Sequence, residues 1–157
     1  MNYFHAEKKN KRILVPLLVS FSLSLTFAFE TIAKSKPDFE KKLSKGYHHL
    51  QIGNTDKAIK IFEGYVKKHP ESGACHTALG RALKRRGKFQ EAKEEFKKAT
   101  QVEPKYGLGF YYLGVALEQD KEWKKAADAF QNYVNLEPDV SKRKIVEDRI
   151  RHCKNQI

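Results

Sequence analysis

Four residue types recur in step at an interval of 34 residues: Gly46/Gly80/Gly114, Ala58/Ala92/Ala126, Phe62/Phe96/Phe130 and Pro70/Pro104/Pro138. An interval of that length equals one helix-turn-helix unit, which cannot bury its apolar face alone and needs a neighbour on which to stack. The chain is therefore expected to be all-α, a stack of helical hairpins whose function lies in a surface rather than in a catalytic centre.

Each hairpin can be built from its residues. In the second, Ala74, Ala78, Leu79, Ala82 and Leu83 give one helical period ending at Gly87, and Phe89, Ala92, Phe96 and Ala99 give the next, ending before Pro104. Gly80 and Ala92 are small where the two helices cross, Phe96 fills the wedge beyond the crossing, and Pro104 stops the helix. The third hairpin copies this over residues 106–119 and 123–136, with a turn at Asp120-Lys121. The first runs over about 38–51, turns at Gly53-Asn54 with Thr55 as the cap, and continues to Lys68. Turns this short make the paired helices antiparallel neighbours.

A stripe in the third hairpin, Phe110/Leu113/Leu117, corresponds to His76/Leu79/Leu83 in the second and Lys42/Lys45/His49 in the first. Apolar inside the array and polar in its first member, the stripe should face the preceding repeat, with Lys42, Lys45 and His49 as a solvent-facing end. At the other end Ile145, Val146 and Ile150 give a last helix one apolar face that closes the stack, opposite Lys142, Arg143, Lys144, Arg149 and Arg151.

The residues Gly80, Ala92, Phe96 and Pro104, with their counterparts on either side, resemble the tetratricopeptide repeat (TPR) family. The resemblance covers about residues 38–138 and implies a right-handed α-α superhelix of three TPR hairpins: 38–70, 71–104 and 105–138, closed by a capping helix within 139–157. The sequence departs from the family at two places. The bulky aromatic that opens the first helix is present only as Phe110, and the small residue three positions after the phenylalanine is Ala99 once but Tyr65 and Tyr133 elsewhere. Those tyrosines need local widening or a partly outward orientation.

In such arrays the first helix of each repeat lines the concave face. The resemblance thus implies a groove of Tyr47, Leu50 and Gln51, then Thr77, Arg81, Lys84 and Arg85, then Leu108, Tyr111, Tyr112, Val115 and Glu118. Tyrosine offers a large contact area at small ordering cost, and arginine can hold a carboxylate bidentately, so the basic centre favours a protein segment with acidic residues or a terminal carboxylate. Some of these aromatics could equally be inter-helix packing. One subset of the family grips the acidic tails of cytosolic chaperones with a clamp of lysine, asparagine and arginine. The matching positions here are Leu43, Tyr47, Ala78, Leu108 and Tyr112, so that clamp is absent.

Residues 1–33 are organised differently. Lys8, Lys9, Lys11 and Arg12 precede 17 uncharged residues, Ile13 to Phe29, followed by small residues at Thr31-Ile32-Ala33 or, earlier, Thr26-Phe27-Ala28. That pattern is expected of a cleaved export signal or of an uncleaved membrane anchor at 13–29, followed by a linker at 34–37; either places the repeats outside the cytoplasm. The formal net charge is +12, spread over alternating Lys and Glu faces such as Lys93 to Lys98. A solvated helical surface accounts for that spread, and nucleic acid is not expected as a partner.

Phosphate loops, nucleophile elbows and two-histidine metal helices are not found, so no enzyme activity, cofactor or metal site is expected. Cys75-His76 and His152-Cys153 fall in segments a full repeat apart, too far for a shared zinc site or a disulfide without rearrangement. Two separate thiols are expected, able in an oxidising compartment to join one chain to another. His48, His49 and His69 are expected at the surface. Together these features point to an exported adaptor that binds a partner's peptide segment, or alternatively to a basic module for anionic glycans or lipid headgroups.

Overall fold

The computed structural model describes residues 43–157. The expected export segment or anchor 1–33, the linker 34–37 and Lys42 lie outside the described residues. Seven helices run through them: α1 over residues 43–51, α2 Thr55–Lys68, α3 Gly73–Arg85, α4 Phe89–Val102, α5 Gly107–Gln119, α6 Trp123–Leu136 and α7 Val140–Lys154. No strand occurs among these residues. The pairs α1/α2, α3/α4 and α5/α6 are the three hairpins. Helix α3 also touches α5, so the first helices of successive repeats are neighbours and can form one continuous face.

The recurring glycine and phenylalanine are a single contact made three times. A Cβ placed on Gly46, Gly80 or Gly114 would meet the ring of Phe62, Phe96 or Phe130 at 2.4, 2.5 and 2.6 Å respectively. The phenylalanine therefore lies directly on the glycine, not beyond the crossing, and all three rings are fully buried. A further position shares the 34-residue beat. Within each hairpin turn one residue has a left-handed backbone: Gly53 at φ 82°, Gly87 at φ 88° and Lys121 at φ 60°. Glycine suits that conformation, whereas lysine carries a steric cost there of roughly 1–2 kcal/mol.

Two apolar clusters form the core. One joins Leu50, Ala58 and Phe62 to Leu79, Leu83 and Phe96; the other joins Leu117, Ala126 and Phe130 to Val146, Ile150 and Cys153. Leu79 and Leu83 thus meet the preceding repeat as expected. Of the third repeat's stripe, Leu113 packs against both clusters, while Phe110 and Leu117 belong to the second. Helix α7 packs on α6 through Val146, Ile150 and Cys153, with Asp139 capping it by accepting from the Ser141 and Lys142 amides at 2.9 and 3.3 Å. Ile145, expected on that apolar face, is 65% exposed. Its neighbour Val146 takes the inward direction, since adjacent helical residues diverge by about 100°.

Packing corrects some further expectations and meets the one made for Tyr65 and Tyr133. Asn54 rather than Thr55 is the residue that precedes α2, and it makes no side-chain cap. Tyr133 is buried, its hydroxyl donating to Glu137 at 2.9 Å, and it has room because Gly107 faces its ring. Tyr65 is half-exposed and stacks beside His69 with ring centres 6.3 Å apart. His49 is half-buried rather than at the surface, with no hydrogen-bond partner for its Nδ1 among the described residues. Both cysteines are free and completely buried, so neither thiol is presented for a bond to another chain; burial also pushes both thiols' pKa up.

Candidate functional site

The concave side is built from the core outward. The ring of Tyr47 in α1 leans on Phe62 with centres 5.3 Å apart, and Tyr112 in α5 stacks on Phe96 at 5.4 Å. The glycine-seated phenylalanines therefore support the two tyrosines. Between them, from α3, reaches Arg81: its guanidinium carbon lies 4.6 Å from the Tyr47 ring centre and 5.2 Å from that of Tyr112. Contacts of this kind are worth about 0.5–2 kcal/mol, rising with desolvation. Burial pushes the Tyr47 hydroxyl's pKa up, against the opposing pull of Arg81.

Around this sandwich opens a cavity of about 600 Å³ lined by Tyr47, Leu50, Gln51, Arg81, Lys84, Arg85, Phe89 and Tyr112. Arg81, Lys84 and Arg85 sit at i, i+3 and i+4 of α3, and so share one face. None of them forms an ion pair among the described residues. The next basic residue, Arg86, turns away to Asp56 at 3.0 Å.

The structure brings seven of the twelve expected groove residues together here: Tyr47, Leu50, Gln51, Arg81, Lys84, Arg85 and Tyr112. The other five sit elsewhere, Val115 packing against the second core cluster. Thr77 is only 1% exposed and its hydroxyl has no hydrogen-bond partner among the described residues. It shares its repeat position with Tyr111, which packs inward on Phe130 and Tyr133 at 6.1 and 5.4 Å, so this position looks toward its own hairpin partner. Glu118 and Tyr111 are engaged by the last helix: Arg149 pairs with the Glu118 carboxylate and reaches the Tyr111 hydroxyl at 3.4 Å. Leu108 is 43% exposed but outside the cavity.

Two residues were not anticipated at the site. Phe89 opens α4 and is 47% exposed on the cavity wall, where its apolar period alone reads as core. Tyr106 precedes α5, and its hydroxyl is pushed up to about 12, first by burial and then by Tyr47; it also feels Arg81 and Tyr112. Its position just after Pro104, where the chain must re-enter the next repeat, was the available signal. Among the described residues no group of His, Cys, Asp and Glu is placed to hold a metal ion, and no helix is long and apolar enough to cross a membrane.

Comparison with known proteins agrees with this architecture. The phagocyte signaling-impaired protein of Drosophila pseudoobscura pseudoobscura is 25% identical over 100 residues, covering 64% of this chain and 10% of that protein. The small glutamine-rich tetratricopeptide repeat-containing protein 2 of Mycosarcoma maydis is 24% identical over 109 residues, covering 69% of this chain and 30% of that protein. The match thus spans less than a third of either relative. Among solved structures, the TPR2B domain of yeast Sti1 in its pHsp70 complex superposes with a TM-score of 0.66 at 17% identity, covering 75% of this chain and 97% of that one. The Yersinia enterocolitica type III secretion chaperone SycD, in complex with a peptide of the translocator YopD, gives 0.63 at 16% identity, covering 73% and 88%. The tetratricopeptide repeat family itself matches residues 43–72 and 77–139, more than half of the sequence. Helices, crossings and family match agree, and the chain belongs to the tetratricopeptide repeat family.

Proposed function

We propose that this protein is an exported adaptor that holds a peptide segment of a partner protein in the groove between α1, α3 and α5. The observation that carries the reading is the open cavity around Arg81, where three basic side chains with no ion pair among the described residues meet aromatic surface. Two structural neighbours support it by analogy: SycD is seen with a translocator peptide and the Sti1 domain in a pHsp70 complex. The chaperone-tail clamp is not the mode used, since Leu43, Tyr47, Ala78, Leu108 and Tyr112 occupy its positions.

The direct test selects binders from a displayed library of random short peptides and compares wild type with an Arg81→Gln/Arg85→Gln/Tyr112→Ala variant. Loss of peptide binding with unchanged helical circular dichroism is the expected result; unchanged binding overturns the groove. Binding to anionic vesicles that ignores these substitutions and collapses with modest salt would favour a distributed basic surface for headgroups or glycans instead. Export is tested by intact mass. A start near Phe29 or Lys34 marks a cleaved signal and a membrane-bound Met1 marks an anchor, whereas a soluble cytoplasmic chain retaining Met1 overturns export.

A further inference from the structure

Arg81 and Arg149 stand 68 residues apart, two full repeats. Helix α7 is accordingly in phase with α3 and α5, and Arg149 holds in α7 the sequence position that Arg81 holds in α3. The two arginines have settings alike in kind, although the rings come from different repeat positions. Arg81 leans on Tyr47 and Tyr112; Arg149 leans on Phe130 at 4.8 Å and Tyr111 at 5.8 Å.

They differ in the acid. Arg149 is paired with Glu118, which comes from the preceding first helix. The residue that stands to Arg81 as Glu118 stands to Arg149 lies 68 positions earlier, and it is Leu50. Leu50 lines the cavity but has no carboxylate to offer. A guanidinium that rests on ring faces keeps in-plane N–H groups for an acceptor; Arg81 meets the Tyr47 hydroxyl, but among the described residues it has no carboxylate partner. Lys84 and Arg85 add positive charge on the same face, and Phe89 places exposed aromatic surface beside them.

We propose that the groove reads a partner segment carrying an aspartate or glutamate side chain next to a large apolar one. The carboxylate pairs with Arg81 from the open cavity, beside the buried Leu50, and the apolar side chain lies against Phe89. The Arg149–Glu118 pair is the internal precedent: an arginine of this chain that rests on aromatic rings and also holds a carboxylate. This inference rests on the peptide-groove reading above and narrows it to one chemistry.

The test uses the full-length chain and peptides selected on it from a random library, resynthesised with each Glu→Gln or Asp→Asn, with affinities measured at physiological salt. The expected result is that selected peptides place an acid beside a large apolar residue. Neutralising that acid should weaken binding about tenfold on wild type and less than about twofold on Arg81→Gln, the signature of a direct pair. Arg149→Gln should leave the acid's contribution intact. Selected peptides that lack an acid, an acid whose neutralisation costs nothing, or an equal loss on Arg81→Gln would each overturn the inference while leaving the groove in place. No peptide enriched over the Arg81→Gln/Arg85→Gln/Tyr112→Ala variant would overturn the groove reading itself, and this inference with it.

Discussion

The two ends of the concave face are made from the same parts and finished differently. At the α5/α7 end, Arg149 rests on the rings of Phe130 and Tyr111 and is neutralised by Glu118. At the α1/α3 end, Arg81 rests on aromatic rings above Phe62 and Phe96, with Lys84 and Arg85 beside it and no acid within ion-pair distance among the described residues. A satisfied arginine belongs to the fold, because it ties the last helix to the array. An unsatisfied one in an open cavity is better placed to meet something from outside. The difference locates function at one end of a face that the repeat pattern alone treats as uniform.

The largest effects should be common to both ends, since both stand on the same crossing. Phe96→Ala and Phe130→Ala each remove a fully buried ring and should each destabilise by about 3–5 kcal/mol in urea unfolding followed at 222 nm. A much smaller cost at either one would mean that the two ends do not share a foundation. Gly80→Ala and Gly114→Ala should cost about 1–3 kcal/mol, because the added methyl meets the phenylalanine ring at 2.5 and 2.6 Å and outweighs the gain in helix propensity.

The twin arginines should then separate. Arg149→Gln leaves the mostly buried Glu118 without its cation and should cost about 2 kcal/mol, whereas Arg81→Gln leaves no carboxylate behind and forfeits its ring contacts and its contact with the Tyr47 hydroxyl, about 0.5–1 kcal/mol. Equal losses would dissolve the comparison.

The smallest effect is again shared, one residue to each end. Tyr106 and Tyr133 are both pushed up to about 12, chiefly by burial, above the ordinary value of 10.0. Their contribution to stability is complete below pH 10, where folded and unfolded chains both keep the proton. It is lost as pH rises through about 12, because the unfolded chain releases protons that the folded one retains. Stability should fall across that window, and Tyr106→Phe and Tyr133→Phe should each make the fall shallower. In absorbance titrations at alkaline pH, each should also remove one late-ionising tyrosine.

The fold was open to reading because its determinants are local and repeated. Gly80, Phe96 and Pro104 announce a crossing, a core and a stop, and the same three announce themselves again one repeat on either side. Helix α7 was recognisable only as a closing helix, because its phase is hidden: Asp148 stands at the glycine position, where no second helix crosses it among the described residues. Arg149, 68 residues after Arg81, was the clue that no glycine or phenylalanine beat could carry. The site was legible at Tyr47, Arg81, Lys84, Arg85 and Tyr112, whose chemistry and helical position agree. It was not legible at Thr77, Tyr111 and Glu118. For these, the side chains around each one decide between groove and interior, and they come from other helices. Phe89 shows the converse, an aromatic whose period says core and whose place at the start of α4 leaves it exposed.

The most direct measurement is a nuclear magnetic resonance titration of the full-length ¹⁵N-labelled chain with a selected acidic peptide, following backbone amides and arginine Nε–H signals. Saturable shifts at Leu50, Arg81, Arg85 and Phe89, with Tyr111 and Arg149 unmoved, are the expected result. Shifts concentrated at Tyr111, Glu118 and Arg149, or spread without saturation over the exposed lysines, would contradict the assignment of function to the open end of the groove.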